Sequence, residues 1–136
     1  MKALAFLLAA AAAALVLAAT PMAAGRVPAI KYEDDKFGAI LATPKKQALY
    51  FWTVEKRAGG KIRCTGSCAR LWPPLYATGT VPKHVARIRG TFGSVRRPGG
   101  RRQVTFNGLA VYSYVHEGPE QVLCDNVNGW FVVRLR

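Results

Sequence analysis

The sequence predicts a mainly β domain of antiparallel strands with one short helix. Three observations predict it. From Phe37 onward, short aromatic and aliphatic segments alternate with turn residues. Asn107-Gly108 stands between two apolar segments, the strongest short hairpin signal, because both central residues of a type I′ turn need positive φ. A helix finds room only around Ser67–Trp72, where Pro73-Pro74 ends it.

The chain opens on a targeting pattern. Met1-Lys2 gives a positive start, Ala3–Ala19 follows without a polar residue, and Thr20-Pro21 breaks the run ahead of Ala23, Ala24 and Gly25. That is the layout of a secretory signal peptide over residues 1–24, with cleavage expected between Ala19 and Gly25. A retained anchor is the competing reading. The run is mostly alanine, at the lower limit of what spans a bilayer, and only Arg26 follows it as a cation. No cysteine precedes Cys64, so no lipidation site is expected, and the mature protein is expected to be periplasmic or secreted without a membrane span.

Residues 25–36 read as an N-terminal arm, with Pro28 and the charge cluster Glu33-Asp34-Asp35-Lys36. A single β domain is expected over 37–136. Its first strand, Ala39–Thr43, is followed by a turn at Pro44-Lys45-Lys46-Gln47. The second, Ala48–Val54, holds Leu49, Tyr50, Phe51, Trp52, Thr53 and Val54, residues that suit a pleated surface, and Ala58-Gly59-Gly60 ends it. The helix comes after the Cys64–Cys68 loop. Gly93–Arg97, the Pro98-Gly99-Gly100 turn, Arg102–Phe106, Asn107-Gly108 and Leu109–Val115 then form successive strands and turns, and Trp130–Leu135 closes the chain.

Two segments repeat each other. Tyr50-Phe51-Trp52-Thr53-Val54-Glu55 and Tyr112-Ser113-Tyr114-Val115-His116-Glu117 share a tyrosine, an aromatic two residues on and a glutamate three further. A tryptophan follows each, Trp72 and Trp130, after about twenty residues. Two pseudo-repeats, about 37–78 and 92–136, are therefore expected to combine in one small sheet, sandwich or barrel. Together with Cys64-Thr65-Gly66-Ser67-Cys68-Ala69, Leu71-Trp72-Pro73-Pro74-Leu75, Arg97, Gln103–Gly108 and Gly129-Trp130, these segments make the chain resemble the bacterial secreted-repeat family, also described as predicted lipoproteins with a tyrosine–aromatic–acidic motif. The resemblance runs from about Phe37 to Val133. It implies location and architecture, since the family carries no assigned activity. The chain departs from it in having glutamate at both acidic positions, no lipidation cysteine, and a thinned stretch at Glu117–Asn128.

Charge is the other strong signal. The formal net charge is +13 over 136 residues, and loss of Lys2 with the signal peptide leaves +12. So basic a domain attracts polyanions, among them anionic envelope components; solubility among acidic surfaces is the plainer alternative. Specific nucleic-acid recognition is not expected. Arg96-Arg97-Pro98-Gly99-Gly100-Arg101-Arg102 sets four arginines around a hairpin tip, with Arg87 and Arg89 upstream. Planar guanidinium groups there could grip phosphates or carboxylates with paired bonds, or be charged only because loop tips are solvated.

Cys64 and Cys68, four apart around Gly66, read as a disulfide in an oxidising compartment. The rival is a thiol-redox or metal-handling protein using Cys64, Cys68 and Cys124 with His84 or His116. The histidines are not spaced as a zinc set with the pair, and the spacing is not that of haem attachment or of Cys-x-x-Cys redox centres. Cys124 is left over, for burial or occasional dimer formation.

On a strand, Tyr50 and Trp52 share a face, as do Tyr112 and Tyr114, while Glu55 and Glu117 fall on the other parity unless a bend intervenes. The motif serves either as aromatic platforms for a ligand or as two related aromatic cores. Phosphate loops and nucleophile elbows are missing from the sequence, His84 has no acid or nucleophile beside it, and His116 adjoins only the motif residue Glu117. No cofactor, metal or catalytic residue is expected, and the overall expectation is a non-enzymatic envelope or secreted binding module.

Overall fold

The structure is a computed structural model that describes residues 18, 19 and 25–136. Apart from Ala18 and Ala19, the signal-peptide reading of 1–24 lies outside the described residues. The described residues form seven strands and two short helices: β1 Ile30–Asp34, β2 Gly38–Ala42, β3 Tyr50–Trp52, α1 Thr53–Arg57, α2 Ser67–Leu71, β4 Phe92–Arg96, β5 Arg102–Phe106, β6 Leu109–Ala110 and β7 Trp130–Val132. Every strand pair is antiparallel. β1 pairs β2, β3 pairs β7, and β4, β5 and β6 make a three-stranded sheet, without closing a barrel. The mainly β, antiparallel expectation holds.

Local chemistry places the turns. Asn107 and Gly108 take φ of 48° and 80°, so Phe106 and Leu109 pair directly across a two-residue I′ turn. Lys46, at φ 62°, closes the turn after β2, where the Thr43 and Gln47 backbones bond at 2.8 Å. Gly60 takes φ 84° behind α1, and a Cβ there would lie 2.7 Å from the Gly108 carbonyl oxygen. Glycine is thus required twice over at that contact.

Three differences from the sequence reading have physical causes. The expected arm over 25–36 contains a strand: Ile30, Tyr32 and Asp34 alternate with outward Lys31 and Glu33, and β1 lies in register with β2 from Ile30–Ala42 to Asp34–Gly38. The charge cluster is its turn, where Asp34 Oδ1 accepts from the Lys36 and Phe37 amides. The expected strand at Ala48–Val54 ends at Trp52, and a second helix, α1, begins at Thr53 despite β-branched Thr53 and Val54. Tertiary bonds to Glu55, described below, override their propensity. The expected strand Leu109–Val115 keeps regular pairing only through Ala110. Beyond it, Tyr112 bridges Tyr50 on one side and Pro74 on the other.

The sheets are stitched by further backbone bonds. Leu41 donates to Val133, Val133 to Leu49, and Leu49 to Leu41, each at 2.9 Å. The segment after α2 lies between β5 and the continuation of β6, with Leu75 donating to Val111 at 3.0 Å and Val104 to Leu75 at 2.8 Å. Both faces of these central segments are covered. Ile40, Tyr50, Tyr112 and Val132 pack in one core, and their neighbours Leu41, Leu49, Val111 and Val133 in another. Side chains alternate between faces along a strand, so two cores follow from one run of paired strands. Among the described residues no helix is long and apolar enough to cross a membrane.

Candidate functional site

The first core is polar at its centre. Tyr50 and Tyr112 exchange both backbone bonds, at 2.8 and 2.9 Å, as a hydrogen-bonded antiparallel pair does. Their hydroxyls diverge to opposite partners. Tyr50 Oη donates to Glu117 Oε2 and Tyr112 Oη donates to Glu55 Oε1, both at 2.7 Å. Each tyrosine therefore serves the glutamate of the other motif. Burial first, then the bonded glutamate, pushes both phenols well above their ordinary range.

The two carboxylates organise the loops beyond their own elements. Glu55 Oε1 also accepts from the Arg63 amide at 2.8 Å and the Cys64 amide at 3.0 Å. Glu117 Oε2 accepts from the Leu123 amide at 2.9 Å, and the Cys124 amide reaches Tyr50 Oη at 3.4 Å. The α1 turn resolves the parity problem, since curling the chain after Trp52 swings Glu55 inward to 1 % exposure. The remaining oxygens, Glu55 Oε2 and Glu117 Oε1, are buried with no hydrogen-bond partner. Burial raises the Glu117 carboxyl above its usual range, against the opposing bonds from Tyr50 and Leu123. Neither glutamate lines the surface clefts of about 630, 380, 440 and 290 Å³.

The aromatic residues form a ladder across the same centre. Trp72 and Trp130 stack at 3.9 Å and 10°, Trp52 stacks on Trp130 at 5.2 Å, and Tyr114 packs on Trp72 at 4.7 Å. Tyr50 meets Trp72 edge-on at 5.4 Å, and Tyr112 meets Trp130 in the same way at 5.1 Å. Trp72 and Trp130 are buried, so the motif aromatics pack as core, with Trp52 and Tyr114 half-exposed at the two ends.

Cys64 and Cys68 form a disulfide with Cα atoms 5.1 Å apart, beside the start of α2. Cys124 is a buried free thiol, pushed up by burial and by Glu117, which makes it a poor nucleophile. Among the described residues no three His, Cys, Asp or Glu side chains cluster as a metal site requires. His84 is exposed, and exposed His116 lies edge-on to Tyr114.

The arginine hairpin divides in two. Arg97, sequence-wise one of four equivalent tip arginines, points inward at 7 % exposure. Its Nη2 donates to the Cys64 carbonyl at 2.6 Å, and its Nη1 to Gln103 Oε1 at 2.6 Å and Tyr112 Oη at 3.4 Å. It therefore leaves the set of surface anion ligands. Arg97 and Glu55 meet on the same phenol, so the buried cation and the buried carboxylate are linked through Tyr112.

Arg96, Arg101 and Arg102 stay exposed and make no ion pair among the described residues. Arg101 lies over the Tyr76 ring, its guanidinium carbon 3.3 Å from the centroid, and Arg102 Nε donates to Ser94 Oγ at 2.9 Å. Both line an open cleft of about 630 Å³ with Ser94, Thr80, Gly79 and the apolar Ala77 and Val81. Stacking and the serine bond fix two cations while leaving their other N–H groups free to donate, which is a chemistry suited to anionic oxygens. Arg87 and Arg89, exposed on the preceding loop, lie elsewhere, around two further cavities with Arg136. Sequence reasoning did not single out Tyr76, which bridges Gln103 of β5 and so brings its ring under Arg101.

Comparison with protein-family models, with curated proteins and with solved structures finds no match to this chain.

Proposed function

We propose that this chain is an exported, non-enzymatic binding module that captures anionic ligands at the β4–β5 hairpin. The observation that carries the reading is the cleft in which Arg101, stacked on Tyr76, and Arg102, tethered to Ser94, stand side by side without an acidic side chain in the lining. Preorganised guanidinium groups lose less freedom on binding than free ones, and the net charge of +13 draws polyanions toward them. Export is supported by the Cys64–Cys68 disulfide, which persists in oxidising compartments, and by the leader pattern of the sequence.

The scaffold reads as a duplicated unit joined at Tyr50 and Tyr112. The exchanged tyrosine–glutamate bonds and the matching tyrosine–tryptophan contacts support this, and Gly66 and Asn126, each two residues after a loop cysteine, share positive φ of 57° and 60°. In this reading the two halves brace one another, and the hairpin is an attachment on a rigid core.

The test is binding of the full chain to heparin and to purified lipopolysaccharide across a salt series. Arg96→Gln, Arg101→Gln and Arg102→Gln together are expected to weaken binding and flatten its salt dependence. Arg97 is left intact because it is a core residue. Unchanged binding by the triple variant overturns the proposal.

A further inference from the structure

A second basic surface lies at the opposite end of the β4–β5 ladder. The tip is marked by the Arg96–Arg102 pair and the far end by Phe92–Phe106. Four strand steps at ~3.4 Å separate the two ends by about 14 Å. Around the far end three cavities of about 380, 440 and 290 Å³ run together. The first and second share Phe106, Asn107, Arg134 and Arg136, and the second and third share Arg89 and Arg136. They make one trough.

Six cations border that trough: Lys31, Lys56, Arg87, Arg89, Arg134 and Arg136. No acidic side chain lines it. Lys31 and Arg134 have partners, Glu33 at 2.8 Å and Asp125 at 2.7 Å; the other four make no ion pair among the described residues. The cations come from β1, from α1, from the loop before β4 and from the chain beyond β7, so the fold assembles a charge density that no sequence window contains. None of these residues takes part in the buried tyrosine–glutamate network, and none lines the hairpin cleft.

The arrangement selects for ligand shape. A compact anion can meet one or two of these side chains, because they line a row of cavities and do not converge on one point. A chain bearing an anion every few ångströms meets them all, and each contact releases counterions. From this we propose that the trough is a binding site for a linear phosphate polymer, a second site independent of the hairpin and standing whether or not the hairpin binds anions. Free polyphosphate and an envelope polymer of glycerol phosphate both carry that chemistry.

The experiment titrates the full chain with inorganic polyphosphate, with poly(glycerol phosphate) and with tripolyphosphate across a salt series. Arg87→Asn, Arg89→Gln and Arg136→Gln are combined, with asparagine at 87 because that residue sits at φ 67°. For the polymer that is the ligand, the triple variant is expected to bind at least tenfold more weakly at moderate salt. Its slope of log K against log salt is expected to fall by about 2, from loss of three contacts at ~0.7 each. Tripolyphosphate is expected to bind weakly to both proteins, whereas the polymer keeps its steep salt slope with the parent. Arg87→Lys, Arg89→Lys and Arg136→Lys, which keep the charge, are expected to restore it. Parent-like affinity and slope for both polymers in the Asn/Gln variant would overturn the site, as would tripolyphosphate binding as tightly as the polymers. Failure of the lysine variant to restore the slope would also overturn it.

Discussion

The hydroxyl of Tyr50 donates to Glu117 across 67 positions of sequence, and that of Tyr112 donates to Glu55 across 57, each at 2.7 Å. The bonds cross between the two motifs, so neither motif satisfies its own glutamate. Removing one hydroxyl strips a charge-assisted bond from a buried carboxylate. Tyr50→Phe and Tyr112→Phe are each expected to destabilise the chain by about 1.5–3 kcal/mol, measured by urea denaturation. A loss under about 0.5 kcal/mol for both would mean that the phenols are not holding the two motifs together.

The same phenols set an alkaline limit. Burial, followed by the bonded carboxylates, holds Tyr50 and Tyr112 above their ordinary 10.0 in the folded chain. The unfolded chain therefore releases these two protons at lower pH than the folded chain does. Stability is expected to be unaffected by them below about pH 9 and to fall as pH climbs past 10. Ultraviolet titration of tyrosinate checks this: two of the five tyrosines should ionise only together with loss of near-ultraviolet circular dichroism. Five smooth ionisations with structure intact would refute it.

Arg97 separates a structural arginine from a binding one. Arg97→Ala leaves the Cys64 carbonyl and Gln103 Oε1 without their donor in a buried site, at about 1–3 kcal/mol for each. The expected loss is about 2–5 kcal/mol in thermal or urea unfolding, whereas Arg96→Ala, on an exposed side chain, is expected to stay within about 0.5 kcal/mol. Equal effects of the two substitutions would show that Arg97 does not hold the loop at Cys64.

Much of this was legible in sequence where a local rule decides the outcome. Asn107-Gly108 dictates its turn through φ, Pro73-Pro74 stops α2, and the Cys64–Cys68 spacing suits the bond that forms. What escaped depends on distant partners. Arg96 and Arg97 are identical neighbours, and only the packing of Cys64 and Gln103 makes one of them interior. Glu55 comes inward because α1 replaces the end of a strand, against the preference of Thr53 and Val54, to reach Tyr112. β1 could have been read from the alternation at Ile30–Asp34, but the acidic cluster that forms its turn hid it. Of the basic trough the sequence marked only Arg87 and Arg89, since four separated segments supply its cations.

The cysteines give the last prediction. Cys124 is buried and its thiol is raised by burial and by Glu117, so it is expected to resist a thiol reagent in the native protein at neutral pH. Denaturation without reductant should expose one thiol, and denaturation with reductant all three. Because the Cys64–Cys68 loop is short, the chain-entropy model assigns the bond only about 2 kcal/mol. Its position adds more than that figure implies, since Cys64 also donates to Glu55 and accepts from Arg97. Cys68→Ser should therefore cost more than about 2 kcal/mol and loosen the Arg97 contact, visible as faster amide exchange at Arg63 and Cys64. Protection at those two amides that matches the parent protein would mean that Glu55 and Arg97 fix the loop without help from the disulfide.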